Sequence, residues 1–375
     1  MINLSLEWKT YSLGDVASFK NGKKKVKTEG IYPVYGGNGI SDYVSEFNSD
    51  GETIVIGRVG AYCGSVYKVT DKCWISDNAI ECKIKDNYDF KYLFYLISSL
   101  KLNNYRIGST QPLLTQDILN DISIVLPDLD TQKNISEILN IIDKKIELNI
   151  SINKNLHNMV DVIFKNFVNN YEDLDVVILS DNTNKIIRGF NSKYVDKSNL
   201  INLNQKVNKG INLEKEHCKY LNEDIDIPNE KFARKRDILL NSLGQGTLGR
   251  VHYYNEETDN VVIDQHITII RANEELIPST YIYEYLKNVA GQYQLDSLIS
   301  GSTGMLMLNI SDIRNLKIPI LSKDKMKEFN SIVSPIFDKI TKNFEEIERL
   351  SKLRDTLLPK LLSGEIDVSK INCDL

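Results

Sequence analysis

The chain contains two copies of one sequence plan, and this duplication constrains its fold more than any single motif does. The stretches ETIVIGRVGAYCGSVYKV at residues 52–69 and DILLNSLGQGTLGRVHYY at residues 237–254 share an acidic residue, an apolar run, a glycine-rich turn and a second apolar run. Further matching pairs are residues 75–80 and 262–267, 108–114 and 301–307, 117–118 and 312–313, and 142–146 and 337–341. Pairs that recur in one order indicate an internal repeat.

Each copy ends in a long segment with helical periodicity. In residues 131–168 and again in residues 323–362, apolar side chains recur every three or four positions, which predicts two long helices with a coiled-coil seam. Each helix is roughly 55 Å long at the usual rise per residue. We therefore expect the two helices to pair antiparallel, with the globular parts at opposite ends; the alternative is that each helix packs on its own β domain. The predicted end residues are Asp130 or Thr131 and Ser322 as N-caps, and Gly364 as the stop of the second helix.

The first part of each copy is rich in glycine, tyrosine, asparagine and short β-like runs. The predicted fold class is therefore α+β, with two mostly-β domains in tandem repeat, separated by two long helices that form an antiparallel coiled coil. The predicted boundaries are residues 1–130 for the first β domain, 131–170 for the first helix, 171–321 for the second β domain and 322–375 for the second helix and tail.

The second glycine turn, GQGTLG at residues 244–249, matches the dinucleotide-binding fingerprint G-x-G-x-x-G. That fingerprint requires a helix after the glycines, because the helix N-terminus holds the pyrophosphate. Here Val251, Tyr253 and Tyr254 follow, which predicts a second strand instead. We conclude that the match is accidental.

Motifs that carry catalysis are missing from the sequence. It contains no N-P-P-[FY] or D-P-P-[FY] element of amino-methyltransferases, no phosphate-binding loop, no H-E-x-x-H and no nucleophile elbow. The carboxylates form no pair expected to shift a pKa, and His217-Cys218 is too little for a zinc site. This pattern favours a binding protein without a cofactor or metal of its own.

Composition excludes further classes of protein. The chain has no apolar run of transmembrane length, and its opening residues do not resemble a leader peptide. Its five cysteines form no C-x-x-C pair, so we expect a cytoplasmic protein without a leader and with reduced thiols. The net charge of −5 does not indicate nucleic-acid binding, but basic residues cluster locally. Five lysines lie in residues 20–27, and the sequence RKR at residues 234–236 precedes the second glycine turn. A solvated surface would explain either cluster; their recurrence in both copies favours a phosphate-contacting face.

Several stretches resemble one known family, the specificity subunits of Type I restriction-modification systems. The C-terminal LRDTLLPKLLSGEIDV is the most specific resemblance; LPDLDTQKNISEILNIID, IGRVGAYCGSV and EWKTYSLGDVASFKNGK resemble the family's central element, glycine hairpin and opening. Two positions depart from the family pattern: Thr131 replaces a glutamate beside the retained Gln132, and Asp324 stands at the corresponding glutamine in the second copy.

The resemblance implies a function for each part. Each β domain would be a target-recognition domain that reads one half of a split DNA sequence. The helices would fix the gap between the halves and dock two modification subunits, which bind S-adenosylmethionine and methylate adenine; motor-nuclease restriction subunits join for cleavage. Such a subunit has no activity alone.

The residues that we predict to contact DNA lie on the glycine hairpins and nearby loops. In the first copy they are Lys20, Lys23, Lys24, Asn38, Arg58, Tyr62, Ser109, Thr110 and Gln111. In the second copy they are Arg188, Asn241, Ser242, Gln245, Thr247, Arg250, Ser302 and Thr303. His252 and His266 flank the second hairpin within possible reach of a base, whereas His157 is expected on the surface or in the helix seam.

Two other functions stay open at this point. The chain is alternatively a stand-alone DNA-modifying enzyme, against which the missing catalytic motifs argue, or a coiled-coil scaffold that binds only protein.

Overall fold

The computed structural model describes residues 8–108, 112–169, 174–191, 193–301 and 306–368. The chain divides into two units. Unit 1 comprises residues 1–147 and 348–375, and unit 2 comprises residues 148–347. Each unit therefore contains one β-rich region together with a segment of each long helix. The predicted domain boundaries, which assign the helices to domains of their own, stay a prediction.

Unit 1 begins with strands and ends with a long helix. Its strands are β1 (Lys9–Ser12), β2 (Ala17–Asn21), β3 (Tyr32–Gly36), β4 (Gly39–Val44), β5 (Thr53–Gly57), β6 (Val66–Val69), β7 (Trp74–Ile75), β8 (Ala79–Ile84) and β9 (Ser123–Leu126). Its helices are α1 (Leu13–Val16), α2 (Phe90–Ser99), α3 (Gln116–Asn120) and the first part of α4 (Leu129–Asn169), with 3-10 turns at Gly60–Tyr62 and Leu102–Tyr105.

A four-stranded sheet of order β2-β8-β5-β6 forms the centre of unit 1, beside a smaller sheet of order β4-β3-β7. Strand β5 is buried on both faces. Ile54 and Ile56 share a core with Tyr92 and Leu93 of α2, whereas Val55 packs with residues of the smaller sheet. Side chains alternate along a strand, so the central sheet is covered on one side by α2 and on the other by the smaller sheet.

Unit 2 contains the second set of strands. They are β10 (Asp175–Ile178), β11 (Thr183–Arg188), β12 (Tyr194–Val195), β13 (Ile201–Leu203), β14 (Lys219–Leu221), β15 (Asp237–Asn241), β16 (Val251–Tyr254), β17 (Val261–Ile263), β18 (Ile267–Ala272), β19 (Ile299–Ser300), β20 (Met307–Leu308) and β21 (Lys317–Ile320). The helices are α5 (Ser279–Lys287), α6 (Val289–Ser297), α7 (Ile310–Arg314), the end of α4 and the first part of α8 (Lys323–Leu362), whose end lies in unit 1. The 3-10 turns are Leu179–Asn182, Lys215–His217 and Asn229–Lys231.

The strand order of unit 2 repeats that of unit 1, which confirms the predicted duplication. The order β11-β18-β15-β16 matches β2-β8-β5-β6. Strand β13 pairs antiparallel with β14 and parallel with β17, as β3 does with β4 and β7. Gly22 and Gly189 mark equivalent positions, since an added Cβ at either would lie within about 2 Å of a carbonyl oxygen, that of Ser76 or Asp264.

The second glycine turn connects two strands, as the sequence predicts. Strands β15 and β16 pair antiparallel, with Asp237 opposite Tyr254 and Leu240 opposite Val251. No helix follows Gly249 before β16. The dinucleotide-binding interpretation of GQGTLG is therefore excluded by the local fold.

The two long helices are present at nearly the predicted positions, but the first is capped by a different residue. Asp128, not Asp130 or Thr131, precedes α4, and its carboxylate accepts hydrogen bonds from the backbone N–H of Thr131 at 2.9 Å and from the Thr131 hydroxyl at 3.0 Å. Ser322 directly precedes α8, as predicted. Gly364 follows α8 with a φ of +75° against the ring of Trp8, which suits glycine and confirms it as the stop.

In unit 1 the beginning of α4 packs on the end of α8. The Asp143 carboxylate accepts a hydrogen bond from Arg354 at 3.0 Å and another from the Tyr95 hydroxyl at 2.6 Å. Leu139 of α4 and Leu361 of α8 lie in the same core as the β-rich region. The helices thus contact both each other and the β sheet in this unit.

In unit 2 the end of α4 packs on the beginning of α8. The Asn343 amide donates to the Asn153 side chain at 2.7 Å, and the rings of Phe164 and Phe167 pack on Phe329 at centroid distances of 6.0 and 5.6 Å. Residue numbers on α8 fall as those on α4 rise, so the two helices run antiparallel, as predicted. Tyr281 of α5 also packs on Phe329. Each helix segment therefore packs both on the other helix and on a β-rich region. The two arrangements considered from the sequence, helix pairing and packing on a β domain, occur together.

The described cysteines Cys63, Cys73, Cys82 and Cys218 are free thiols, in agreement with the sequence; Cys373 lies outside the described residues. Within the described ranges, no helix has the length and apolar character needed to span a membrane.

We expect Phe329→Ala to lower the free energy of unfolding by about 3–5 kcal/mol, because it opens a cavity between α4, α5 and α8. Phe329 is fully buried, whereas Ile332 on the same helix is 41% exposed. Urea unfolding of both alanine variants tests this expectation. The Ile332→Ala control should change the stability by at most about 0.5 kcal/mol; equal losses for the two variants would contradict the packing described here.

Candidate nucleic-acid interface

The predicted contact loops of unit 1 meet at the turn of residues 76–78, between β7 and β8. The backbone N–H groups of Gly22 and Lys23 donate to the carbonyls of Ala79 and Ile75 at 3.0 and 2.9 Å. From the glycine hairpin, the N–H of Arg58 donates to the carbonyl of Asn78 at 2.9 Å. Backbone hydrogen bonds therefore hold the lysine-rich segment and the glycine hairpin against the same turn.

Arg58 is central in this loop cluster. One guanidinium nitrogen donates to the Asp77 carbonyl at 3.4 Å, while its Nε is buried without a partner among the described residues. The Leu114 N–H donates to the Arg58 carbonyl at 2.9 Å and the Gly60 N–H to the Pro112 carbonyl at 3.1 Å. Pro112 and Leu114 therefore lie beside the glycine hairpin, whereas the predicted contacts Ser109, Thr110 and Gln111 lie outside the described residues.

Asn38 and Tyr62 are brought together by the β3–β4 turn. The Gly37 carbonyl accepts hydrogen bonds from the hydroxyls of Ser65 and Tyr67, the latter at 3.3 Å. A Cβ on Gly37 would contact the side chain of Tyr62 at 3.6 Å. Asn38 is exposed and Tyr62 is 53% exposed, so both side chains reach the surface beside Arg58.

The predicted lysines lie on the same part of the surface. Lys20 is exposed on β2 opposite Glu81, and Lys23 and Lys24 are exposed directly after that strand. The Lys23 carbonyl also accepts the indole N–H of Trp74 at 3.1 Å. The lysine backbone is therefore fixed while the ammonium groups extend into solvent.

Unit 2 repeats this loop arrangement with different side chains. The Ser242 N–H donates to the His266 carbonyl at 2.9 Å, as Arg58 does to Asn78. The Leu308 N–H donates to the Ser242 carbonyl at 2.9 Å, as Leu114 does to Arg58. Ser302 and Thr303 precede this contact but lie outside the described residues.

Two predicted contact residues of unit 2 are inside the protein. Asn241 is fully buried, with its amide donating to the Gln205 carbonyl at 3.1 Å and its oxygen accepting from Asn208 at 2.9 Å. Ser242 is also fully buried and donates to the Thr268 hydroxyl at 2.6 Å. Both strand faces are covered here, so these side chains stabilise the fold rather than face a ligand.

Arg188 was also predicted to contact DNA, but its side chain is used inside the protein. Its guanidinium donates to the carbonyl of Leu308, which fastens β11 to β20. Burial lowers the pKa of this guanidinium, and one terminal nitrogen is buried without a partner among the described residues. The Arg188 side chain therefore joins two strands of unit 2 and is not free to contact a ligand.

The remaining predicted residues of unit 2 lie on the glycine loop. Gln245 is exposed, Thr247 is half-buried, and Arg250 donates to the Gly246 carbonyl at 3.1 Å. This guanidinium bond ties the loop to the start of β16, so the loop that carries Gln245 is held in place.

Two histidines do not have surface roles. His252, expected near DNA, is buried, and its Nδ1 lies 2.7 Å from the Gly210 carbonyl oxygen. His157 lies in the helix seam against the ring of Phe337, in agreement with one of the two predicted locations. Burial lowers the pKa of each of these histidines to about 4, so both are neutral at pH 7.

The expectation that no carboxylates are paired was wrong. Glu284 of α5 is buried beside Lys287, which also pairs with Asp161 of α4 at 2.6 Å. Burial raises the pKa of Glu284 to about 7, against the opposing effect of Lys287, and Asp161 raises it further. These residues line a cavity of about 500 Å³ together with Arg250. The contact depends on tertiary packing of α4 on α5, which sequence spacing does not show.

We expect Glu284→Gln to remove a pH dependence of stability. A carboxyl whose folded pKa is near 7, against 4.5 for the free group, contributes stability below pH 4.5 that is lost as the pH rises to about 7. The difference in the free energy of unfolding, variant minus wild type, should therefore increase between pH 4.5 and pH 8 by on the order of 3 kcal/mol. Urea unfolding at several pH values measures it. The exposed Glu275→Gln control should show no such trend, and a flat difference for Glu284→Gln would refute the assignment.

Known proteins share this chain's sequence pattern. A family model described as the Type I restriction modification DNA specificity domain matches residues 5–158 and 182–352. The chain belongs to this family. The two matched regions correspond to the two copies of the repeat, so each copy is a specificity domain.

Individual relatives of this specificity-domain family extend the comparison. A putative type I restriction enzyme specificity subunit from Haemophilus influenzae is 26% identical over 91% of this chain and 90% of its own length. The type I restriction enzyme EcoprrI specificity subunit from Escherichia coli is 30% identical over 37% of this chain, and the chain spans only 36% of that protein. A solved structure, the Type-I restriction-modification system S subunit from M. genitalium, has a TM-score of 0.67 and 18% identity, covering 96% of this chain and 97% of that one. It shows the same fold.

The predicted set of DNA contacts omits two residues at the centre of the loop clusters, although the sequence analysis places His266 near a base. Asn78 and His266 accept equivalent backbone hydrogen bonds and both reach the surface. The repeat contained part of the signal, because residues 75–80 match residues 262–267 and so indicate equivalent turns. That match sets Asn78 opposite Gln265, and the backbone hydrogen bonds of the structure set it opposite His266.

Proposed function

We propose that this chain is the DNA-recognition subunit of a Type I restriction-modification complex. In this proposal unit 1 reads one half of a bipartite DNA sequence and unit 2 reads the other half. The chain supplies recognition but no catalytic group. The observation that carries the proposal is the duplicated loop cluster, which the family match identifies with two specificity domains.

The loop clusters have the properties of a recognition surface. In each unit, a glycine hairpin, a sheet turn and a loop before a short helix are joined by backbone hydrogen bonds, such as those to Asn78 and His266. Loops fixed on a rigid sheet present side chains without a large cost in conformational entropy. The two clusters differ in side chains, as expected for readers of two different half-sites.

Phosphate contacts supply affinity in this proposal. Lys20, Lys23 and Lys24 are exposed in unit 1, and backbone hydrogen bonds hold the lysine segment and Arg58 at the same turn. The net charge of the chain is −5, but at physiological salt a phosphate responds to charges within about 10 Å. The charges near the loop cluster therefore matter more for a bound phosphate than the net charge of the chain. Such contacts fix register without reading sequence.

The contact set that we propose is smaller than the set expected from sequence. It retains Asn38 and Tyr62 with the basic residues of unit 1, and Gln245, Thr247 and Arg250 of unit 2. It also retains Ser109, Thr110, Gln111, Ser302 and Thr303, which only the sequence supports. Asn241, Ser242 and Arg188 are omitted because their side chains are used inside the fold.

The long helices are proposed to dock two modification subunits. Exposed apolar side chains on α4 include Leu148, Ile150, Met159 and Val162, and Ile332 is exposed on α8. Water-exposed apolar groups on a helix are typical of a protein interface. The modification subunits would bind S-adenosylmethionine and methylate adenine, and motor-nuclease subunits would join them for cleavage.

Genome-wide mapping of methylated adenines, with and without the gene for this chain, tests the proposed function. We expect a split motif of two short halves with a fixed gap that disappears when the gene is removed. A methylation pattern that does not depend on the gene would reject the proposal. Purified chain incubated with DNA and labelled S-adenosylmethionine, without partners, should transfer no methyl groups; transfer would instead support the alternative of a stand-alone enzyme.

We expect Lys23→Ala to weaken binding of the assembled complex to all DNA sequences alike. Loss of one phosphate contact should reduce the slope of log K against log salt concentration by about 0.9. Fluorescence titrations at several salt concentrations measure this slope. Lys91→Ala is the control, because Lys91 is a half-buried lysine of the same unit whose ammonium lies 3.8 Å from Glu137 on α4. An unchanged slope for Lys23→Ala, or an equal change for both variants, would contradict the proposed phosphate face.

A further inference from the structure

We propose that Asn78 and His266 read base edges, one in each unit, and that His266 accepts a hydrogen bond from the amino group of adenine or cytosine. This inference rests on the proposed function and names specificity-determining residues for it.

The position of His266 is fixed by the backbone around it. It ends the turn between β17 and β18, where its carbonyl accepts from the N–H groups of Ser242 and Leu243 at 2.9 and 3.2 Å. On the other side, Gly189 approaches the Asp264 carbonyl so closely that no side chain fits between them. The His266 side chain is 36% exposed, so it points outward from a turn that cannot shift easily.

Asp264 determines which ring nitrogen of His266 carries the proton. The Asp264 side chain is 3% exposed and lies 2.5 Å from the His266 Nδ1. It also accepts from the Tyr194 hydroxyl at 2.9 Å and from the His266 N–H at 2.9 Å. An ionised carboxylate only accepts hydrogen bonds, so Nδ1 is the donor in this pair. In the neutral ring, Nε2 is then left as an acceptor.

An acceptor at this position selects a particular class of base. In the major groove the donors on base edges are the amino groups of adenine and cytosine, whereas guanine and thymine present acceptors there. His266 therefore favours adenine or cytosine over guanine or thymine at the position that it contacts. Tyr194 and Asp264 are positioning residues, because they act through the orientation of the imidazole.

Asn78 occupies the equivalent place in unit 1 but without this support. Its carbonyl accepts from Arg58 as that of His266 does from Ser242, and its side chain is exposed. The position of Asp264 is taken by Ser76, whose N–H donates to the Tyr35 carbonyl at 2.9 Å as that of Asp264 does to Leu203 at 3.0 Å. An asparagine amide offers both a donor and an acceptor, which suits a paired contact to adenine. The two units therefore read their halves with different chemistry at one structural position.

The test compares methylation motifs produced by the complete complex with wild-type chain, His266→Ala, Asn78→Ala and the control His217→Ala. His217 is an exposed histidine of unit 2 that lies beside Glu214, 3.2 Å away, and has no part in the proposal. We expect each of the first two variants to relax one position of one half-site only, the two variants affecting different halves. Discrimination at that position should fall on the order of tenfold. The control should leave the motif unchanged.

Further variants separate reading from a structural role. His266→Gln retains a side-chain acceptor and should restore part of the discrimination, and Asp264→Asn should reduce it while Nε2 stays in place. An unchanged motif with His266→Ala, or a uniform loss of affinity for all sequences, would overturn the proposal for His266. If a single variant relaxed both half-sites, the assignment of one residue to each half-site would be overturned. Failure of the proposed function is distinct, since the wild-type chain would then yield no gene-dependent motif.

Discussion

Burial of the apolar stripes on two helices of about forty residues is the constraint on which the rest of the structure depends. In each unit the stripes are covered jointly by the partner helix and by a β-rich region, as Leu139 and Leu361 show in unit 1 and Phe164 and Phe329 in unit 2. A helix that was not paired would expose apolar surface at a cost of about 25 cal/mol for each Å².

Polar groups inside this seam specify how the helices pair. Asn153 and Asn343 are buried and hydrogen-bonded to each other, and the Asn153 amide also donates to the Ile340 carbonyl at 3.3 Å. A shift of one helix along the other would leave these amides buried without partners, which costs about 1–3 kcal/mol for each group. Apolar packing thus supplies stability, whereas the asparagine pair fixes the register, as a single buried asparagine does in coiled coils.

Local features of the fold could be predicted from the sequence, because they depend on neighbouring residues. The two long helices, the strand after GQGTLG and the stop at Gly364 follow from periodicity and residue preference, and the structure confirms them. The helix cap at Asp128 was missed because several polar residues in a row are suitable, and only geometry distinguishes them.

The predictions that the structure contradicts concern residues at which segments distant in the sequence come into contact. Strand β16 is buried along its whole length, since both of its faces are covered, so its sequence gives no sign that His252 is inside. The same holds for Asn241, which pairs with Asn208, and for Glu284, which is buried among groups from α4 and α5. Residue spacing carries no information about such contacts. The repeat did contain information of this kind, because the match between residues 75–80 and 262–267 indicates that Asn78 and His266 lie on equivalent turns.

The way in which the loops are joined explains how one fold can serve two recognition tasks. The contacts that bring the glycine hairpin onto the central turn are backbone hydrogen bonds, Arg58 to Asn78 in one unit and Ser242 to His266 in the other. Every residue type except proline has the same backbone N–H and C=O groups, so the side chains at these positions can change while the loop geometry is retained. The buried Asp264 carboxylate is present in one unit only. It fixes the tautomer of His266 without changing the backbone contacts of the loops. A recognition domain built in this way can change its target through substitutions at the surface. The sheet order and the helix seam, which supply the stability, stay the same.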